Sequence, residues 1–140
     1  MKNLARFKEK VNARNLLVQA MYEFSFGHNA SNEIEESFIK NYTKTKVDYI
    51  FFKNIFRFLT KSYKELQEKI KGNAEFELFG IKTIEKMEQN ILLIALAEAE
   101  IEKTPKNILL DESVRLAKKF GGVNSYKFVN ASLEKVLESH

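Results

Sequence analysis

Phe52, Phe56, Leu59, Tyr63, Leu66 and Ile70 recur at alternating steps of four and three residues. Only an α-helix, with roughly 3.6 residues per turn, returns such positions to one face, whereas a strand would scatter them over both sides of a sheet. Phe51, Ile55 and Phe58 add a second apolar face to the first half of the stripe, so that half is expected to be buried nearly all round. The pattern predicts one long helix, with Asp48 near its start and Gly72 as its stop. An aromatic stripe at this spacing reads as core rather than as a cofactor box.

The remaining segments follow the same period. Leu16, Ala20 and Phe24, flanked by Leu17 and Met21, predict a first helix from about Leu4 to Phe26 that Gly27 ends. Asn32 with Glu35 resembles a capping box that opens a short helix to Tyr42, with Ile34, Phe38 and Tyr42 on its apolar face. After a loop through Gly80, Thr83 is a candidate cap for a helix whose inner face holds Ile84, Met87, Ile91, Ile94 and Ala95. Pro105 disfavours helix at Thr104 and leads the next one, to Phe120, with Leu110, Val114 and Ala117 expected inward. Gly121 and Gly122 stop it. Ser125 then opens a last helix that carries Phe128, Val129, Leu133, Val136 and Leu137.

Composition excludes the competitors. Five glycines and a single proline leave too few turns for an all-β chain, and no segment alternates with a strand period. At 140 residues without a linker or repeat, the reading is one helical domain over residues 1–140. No apolar run approaches the length of about 18 residues that spans a bilayer. The charged start, MKNLARFKEK, does not resemble a secretory signal. The absence of cysteine removes disulfides and thiolate metal sites, and suits the cytoplasm.

Chemistry is sparse. His28 beside a glycine and His140 at the end have no partner at ligand spacing, so no metal site is expected. No glycine-rich phosphate loop is present, so no nucleotide cofactor is expected. Asp111-Glu112 and the series Glu98, Glu100, Glu102 point in different directions on a helix and read as a solvated edge. The chain is expected to have no catalytic residues and not to be an enzyme.

Charge is where the sequence becomes specific. Lys2, Arg6, Lys8, Lys10 and Arg14 against Glu9 leave the first fourteen residues at +4, the formal charge of the whole chain, so the 18 cations and 18 anions that follow cancel. A basic cluster on a neutral body suits a polyanion; a merely solvated helix end is the alternative. Lys2, Arg6, Lys10 and Arg14 lie four apart, on a slowly drifting face that points much as the later apolar stripe does. Two arrangements fit. The helix overhangs the body with its first half, or the first ten residues are disordered until a partner arrives.

The C-terminal third reads TPKNILLDESVRLAKKFGGVNSYKFVNASLEKV. It resembles the signature end of the NusB family, where a proline-led helix of the form INEAVELAKKFG precedes an acidic-serine turn and a helix of the form KFVNGVLDK. The counterparts are Leu110 to Ser113, Leu116 to Gly121, Ser125, and Lys127 to Asn130. Ala13-Arg14 and Val18 to Tyr22 are similar to the family's basic start running into an ALQALY stretch, and Glu88, Ile94-Ala95-Leu96 and Glu98 to its middle segment. The resemblance covers both ends well and the middle weakly.

It implies an all-α fold of about seven helices in two small sub-bundles. It also implies an antitermination adaptor that binds boxA-type single-stranded RNA together with a small-subunit ribosomal protein, NusE, within the RNA polymerase antitermination complex during ribosomal RNA synthesis. Carried over by position, Lys10 and Arg14 are the best RNA contacts, Lys2, Arg6 and Lys8 extend them, and Asn124, Ser125 and Lys127 border them. Tyr22, Phe26, Glu88 and Glu98 match positions of the ribosomal-protein partner, with Tyr22 and Phe26 also readable as core. A homodimer is a further candidate assembly.

The departures from the pattern bear on affinity. The dense arginine start is thinned here by Glu9 and Asn12, which weakens phosphate binding; Asn124 replaces an acidic residue, which offsets part of that loss. Ala97 stands where a tyrosine is common, and Ala131 where a glycine is usual. Two other readings remain. One is an interaction module that has lost RNA binding. The other is the regulatory domain of a ribosomal RNA methyltransferase, which would require a catalytic domain that this chain is not expected to contain.

Overall fold

Residues 2–41, 46–73 and 84–138 are described by a computed structural model. Among them are seven α-helices and no strand: α1 (Lys2–Ser25), α2 (Ser31–Asn41), α3 (Tyr49–Lys61), α4 (Tyr63–Asn73), α5 (Lys86–Ile101), α6 (Lys106–Phe120) and α7 (Ser125–Glu138). α1, α2 and α3 pack on one another, as do α5, α6 and α7, with α4 against α5 and α7. The axis common to both groups is α5. Every residue from Glu88 to Glu98 is buried, because this helix touches α1, α3, α4, α6 and α7. Its apolar residues run all round, which is what such a position demands. None of the helices described is long and apolar enough to cross a membrane.

The expected long third helix is two helices. Asp48 caps α3 by accepting the Phe51 N–H at 3.0 Å. The chain then turns aside at Ser62, whose backbone (φ −108°, ψ 21°) leaves the helical region. Ser62 still donates to Phe58 O and accepts from Leu66 N, each at 3.0 Å, so the bend sacrifices little hydrogen bonding. It redirects the last three turns along α5 and α7, where Leu66 and Ile70 are buried. Serine is a weak helix former, so the bend falls where propensity resists it least. Gly72 is not the stop, since α4 continues to Asn73.

Two local expectations also change. α2 begins at Ser31, with the N–H groups of Glu33 and Ile34 donating to Ala30 O. Glu35 closes no capping box with Asn32; its carboxylate accepts both arms of Arg57 at 2.8 Å. On α6 the inward residues are Leu109, Leu116 and Ala117, while Leu110 and Val114 are half-buried. That rotation of about one residue, roughly 100°, carries Glu112 and Ser113 inward as well. Tyr42, Gly80, Thr83 and His140 lie outside the described residues.

The aromatic stripe forms the centre of the core. Phe52 and Phe56 stack at 5.8 Å, and Phe24 meets Phe56 and Tyr63 edge-on at 6.3 and 5.3 Å. At the other end of the body, α6 turns into α7 through Gly121. A Cβ there would lie 2.7 Å from Ala117 O and 2.7 Å from Ser125 Cβ. Both are framework atoms that cannot move away cheaply, so Gly121→Ala is expected to cost about 1–3 kcal/mol. Urea unfolding checks this, with Gly122→Ala, where a Cβ meets only Ser125 Oγ at 3.7 Å, as the near-neutral control.

Candidate nucleic-acid and partner interface

α1 is helical from Lys2, and its exposure changes along its length. Leu4 to Lys8 are exposed, Glu9 to Asn12 half-buried, and Ala13 and Arg14 buried. The overhanging arrangement is therefore the one adopted. Arg6 and Lys8 are exposed, and no described carboxylate pairs with either. Lys10 is half-buried, its Nζ 5.5 Å from the centre of the Phe51 ring. Lys2 opens the helix, but its side chain lies outside the description.

Arg14 does not belong to this surface. It is 3% exposed, one turn past the point where the helix enters the body. Its Nε donates to Glu98 Oε2 at 2.9 Å, its Nη2 to Glu98 Oε1, and its Nη1 to Glu112 Oε1 at 2.8 Å. Burial alone would weaken its charge, but Glu98 and then Glu112 more than offset that and keep it firmly protonated. Arg115 extends the network to Glu112 Oε2 at 2.7 Å and to Asn15 Oδ1 at 2.8 Å, and the Thr104 hydroxyl donates to Glu98 at 2.9 Å. Burial likewise would push the Glu112 carboxyl up; Arg115 and then Arg14 override it and hold it below the usual carboxylate range. Buried, with its charge matched by two carboxylates and three of its five N–H groups donating to them, this guanidinium is poorly placed to meet a phosphate. Arg14 is withdrawn as an RNA contact, and Glu98, 2% exposed within the same network, as a partner contact.

Two open recesses flank α1. A cleft of about 890 Å³ at its N-terminal end is walled by Arg6, Phe7 and Lys10 on one side and by Ile50, Lys103 and Thr104 on the other. Lys103 adopts a left-handed φ of 53° just past the end of α5, which turns the chain sharply into α6. A groove of about 470 Å³ at the C-terminal end is lined by Tyr22, Phe26, Lys86, Glu88, Phe120 and Ser125. Tyr22 and Phe26 are 40% and 47% exposed, so they are surface rather than core, and their rings meet edge-on at 4.9 Å. Lys86 Nζ lies 4.3 Å from the centre of Phe26 and donates to Ser25 O at 3.2 Å. Glu88 is buried but borders this groove.

The residues assigned to RNA are therefore split. Lys8 and Tyr22 are fourteen positions apart, about 21 Å along the helix axis, and Ser125 sides with Tyr22. Its Oγ accepts the Gly122 N–H at 2.9 Å and so holds the turn. Asn124 and Lys127 are exposed beside it, Lys127 Nζ lying 5.9 Å from the Tyr126 ring. Sequence reasoning misread Glu98 and Glu112 as parts of a solvated edge, although both are buried, and missed Arg115, Phe7 and Ile50. The Glu112–Arg115 spacing of three on one helix, and an aromatic between Arg6 and Lys8, were the signals available.

The NusB family model matches residues 11–138. The chain belongs to the NusB family. It is 32% identical over 139 residues to the transcription antitermination protein NusB of Pseudoalteromonas translucida, covering 99% of this chain and 97% of that one. With the protein of the same name from Shewanella amazonensis it shares 31% over 130 residues, 92% of this chain and 95% of the other. A structure of T. maritima NusB matches with a TM-score of 0.72 over 93% of this chain and 91% of that chain, and at 23% identity it supports the shared fold. In this NusB-family chain the matched stretch takes in the Arg14–Glu98–Glu112 network and both sides of the Tyr22 groove. It begins after Arg6, Phe7, Lys8 and Lys10.

Proposed function

We propose that this chain is a transcription antitermination adaptor that works in the cytoplasm, holding boxA-type single-stranded RNA together with the small-subunit ribosomal protein NusE during ribosomal RNA synthesis. The observation that carries the reading is the cationic overhang of α1: Arg6 and Lys8 are exposed and form no ion pair with a described carboxylate, on a chain whose remainder is close to neutral. Exposed cations on a projecting element neutralise phosphates and position a strand without reading its sequence. The Tyr22–Phe26 groove supports the protein-partner half. Two large exposed rings beside a lysine have the chemistry of an interface anchor, and they stand far enough from the tip that RNA and protein need not compete. Asn124 and Lys127 flank that groove and are proposed to meet the strand as it passes the partner.

Binding of a boxA-like RNA oligonucleotide is expected to be weak alone and tighter once the ribosomal protein is added. Three neutralised phosphates give a log–log salt slope near −2, so affinity is expected to fall about twentyfold between 50 and 200 mM salt. Arg6→Glu with Lys8→Glu is expected to flatten that slope while leaving the partner complex intact. A salt-insensitive complex contradicts the proposal. A chain that binds the ribosomal protein and no RNA under any condition is instead an interaction module.

A further inference from the structure

Resting on the RNA-binding reading, we infer that Phe7 is a stacking platform on which one unpaired nucleobase of the bound strand seats at the mouth of the N-terminal cleft. Phe7 lines the cleft yet is 49% exposed, so a large part of its ring is open to solvent. Its neighbours give it company of a particular kind. At about 100° per residue, Lys10 lies about 60° to one side of it on the helix surface and Lys8 about 100° to the other. An aromatic face between two cations is the arrangement that holds single strands: the cations take successive phosphates and the ring takes the base.

The cleft itself favours a base over a phosphate. Arg6, Lys10 and Lys103 on its walls are matched by Glu9, Asp48 and Glu102, and the charge of Arg14 at its floor is consumed by Glu98 and Glu112. Cations and carboxylates are thus equal in number on its walls, so its interior draws a phosphate less than the open helix surface at Lys8 does. Its carboxylates are acceptors for the amino groups that bases carry, and Ile50, exposed across from Phe7, gives a flat ring a second apolar surface. Its volume of about 890 Å³ falls in the range, about 300–1,000 Å³, of recesses that accept small ring systems. The stack is indifferent to salt; the flanking lysines are not.

The test uses the full chain and a single-stranded boxA-like RNA oligonucleotide titrated across a salt series. Phe7→Ala is expected to weaken binding about fivefold to a hundredfold at every salt concentration, with the slope unchanged, because a stack is lost and no phosphate contact is. Phe7→Trp is expected to keep the affinity. The chain has no other tryptophan, so quenching of that variant's fluorescence by RNA reports the stack directly. Removing the base at one position of the oligonucleotide is expected to abolish the difference between parent and Phe7→Ala. The inference is overturned if Phe7→Ala binds as the parent does, if it changes the slope as a lysine variant would, or if no single abasic position matters. It is also overturned if sedimentation shows the parent dimeric and Phe7→Ala monomeric, since a second copy then covers the ring. Failure of the parent to bind RNA at all sinks the RNA-binding reading itself, a result distinct from a parent that binds and a Phe7 variant that does so equally well.

Discussion

Arg14→Ala is expected to destabilise the fold by about 3–5 kcal/mol, the cost of removing one partner from a buried ion network. The guanidinium bridges Glu98 on α5 and Glu112 on α6. Its removal leaves Glu112 with Arg115, but Glu98 with only the Thr104 hydroxyl. A buried carboxylate with one neutral donor is the expensive product. Urea unfolding measures the loss, and the decisive comparison is Arg14→Met combined with Glu98→Gln, which removes both charges and is expected to recover much of the stability. If Arg14→Ala unfolds like the parent, the network is ornamental. The same network makes part of the stability depend on pH. Because Glu112 titrates lower in the folded chain than the ordinary 4.5, the stability it contributes is complete above that value and is lost as pH falls through the lower one.

Phe56→Ala is expected to cost a similar amount, about 3–5 kcal/mol. Phe56 is fully buried, stacked on Phe52 and met edge-on by Phe24. α1, α3 and α5 press on one another around it, so the space left by its ring cannot collapse without moving a helix. Phe26→Ala, which deletes an equal side chain from the surface, is expected to stay within about 0.5 kcal/mol of the parent. Equal losses for the two would mean that the core has been misjudged.

The helical architecture was legible because spacing is local. The stripe from Phe52 to Ile70 and the KFVN helix carry their period whatever they pack against. What could not be read was decided across the chain. Ser62 breaks its helix because α5 and α7 lie where the last turns must go, and nothing within residues 48–72 says so. α6 is rotated by one residue because Glu112 has to reach Arg14, 98 positions away. The basic tip was visible as charge, but its division was not. Arg14 shares the four-residue spacing of Lys2, Arg6 and Lys10, and a sequence does not show at which turn a helix leaves its body. Tyr22 and Phe26 pose the same question at the other end, where α1 runs out of neighbours before it runs out of aromatic residues.

The pin at Arg14 makes a cantilever of the turns before it. Towards its free end, from Leu4 to Lys8, the side chains are exposed, so exchanging one there changes the surface the chain presents and hardly alters whether it folds. Behind it, the buried side chains of α1 pack among α2, α3, α5 and α6. A molecule built this way can retune the charge of its tip in small steps, while the beam that carries it stays fixed.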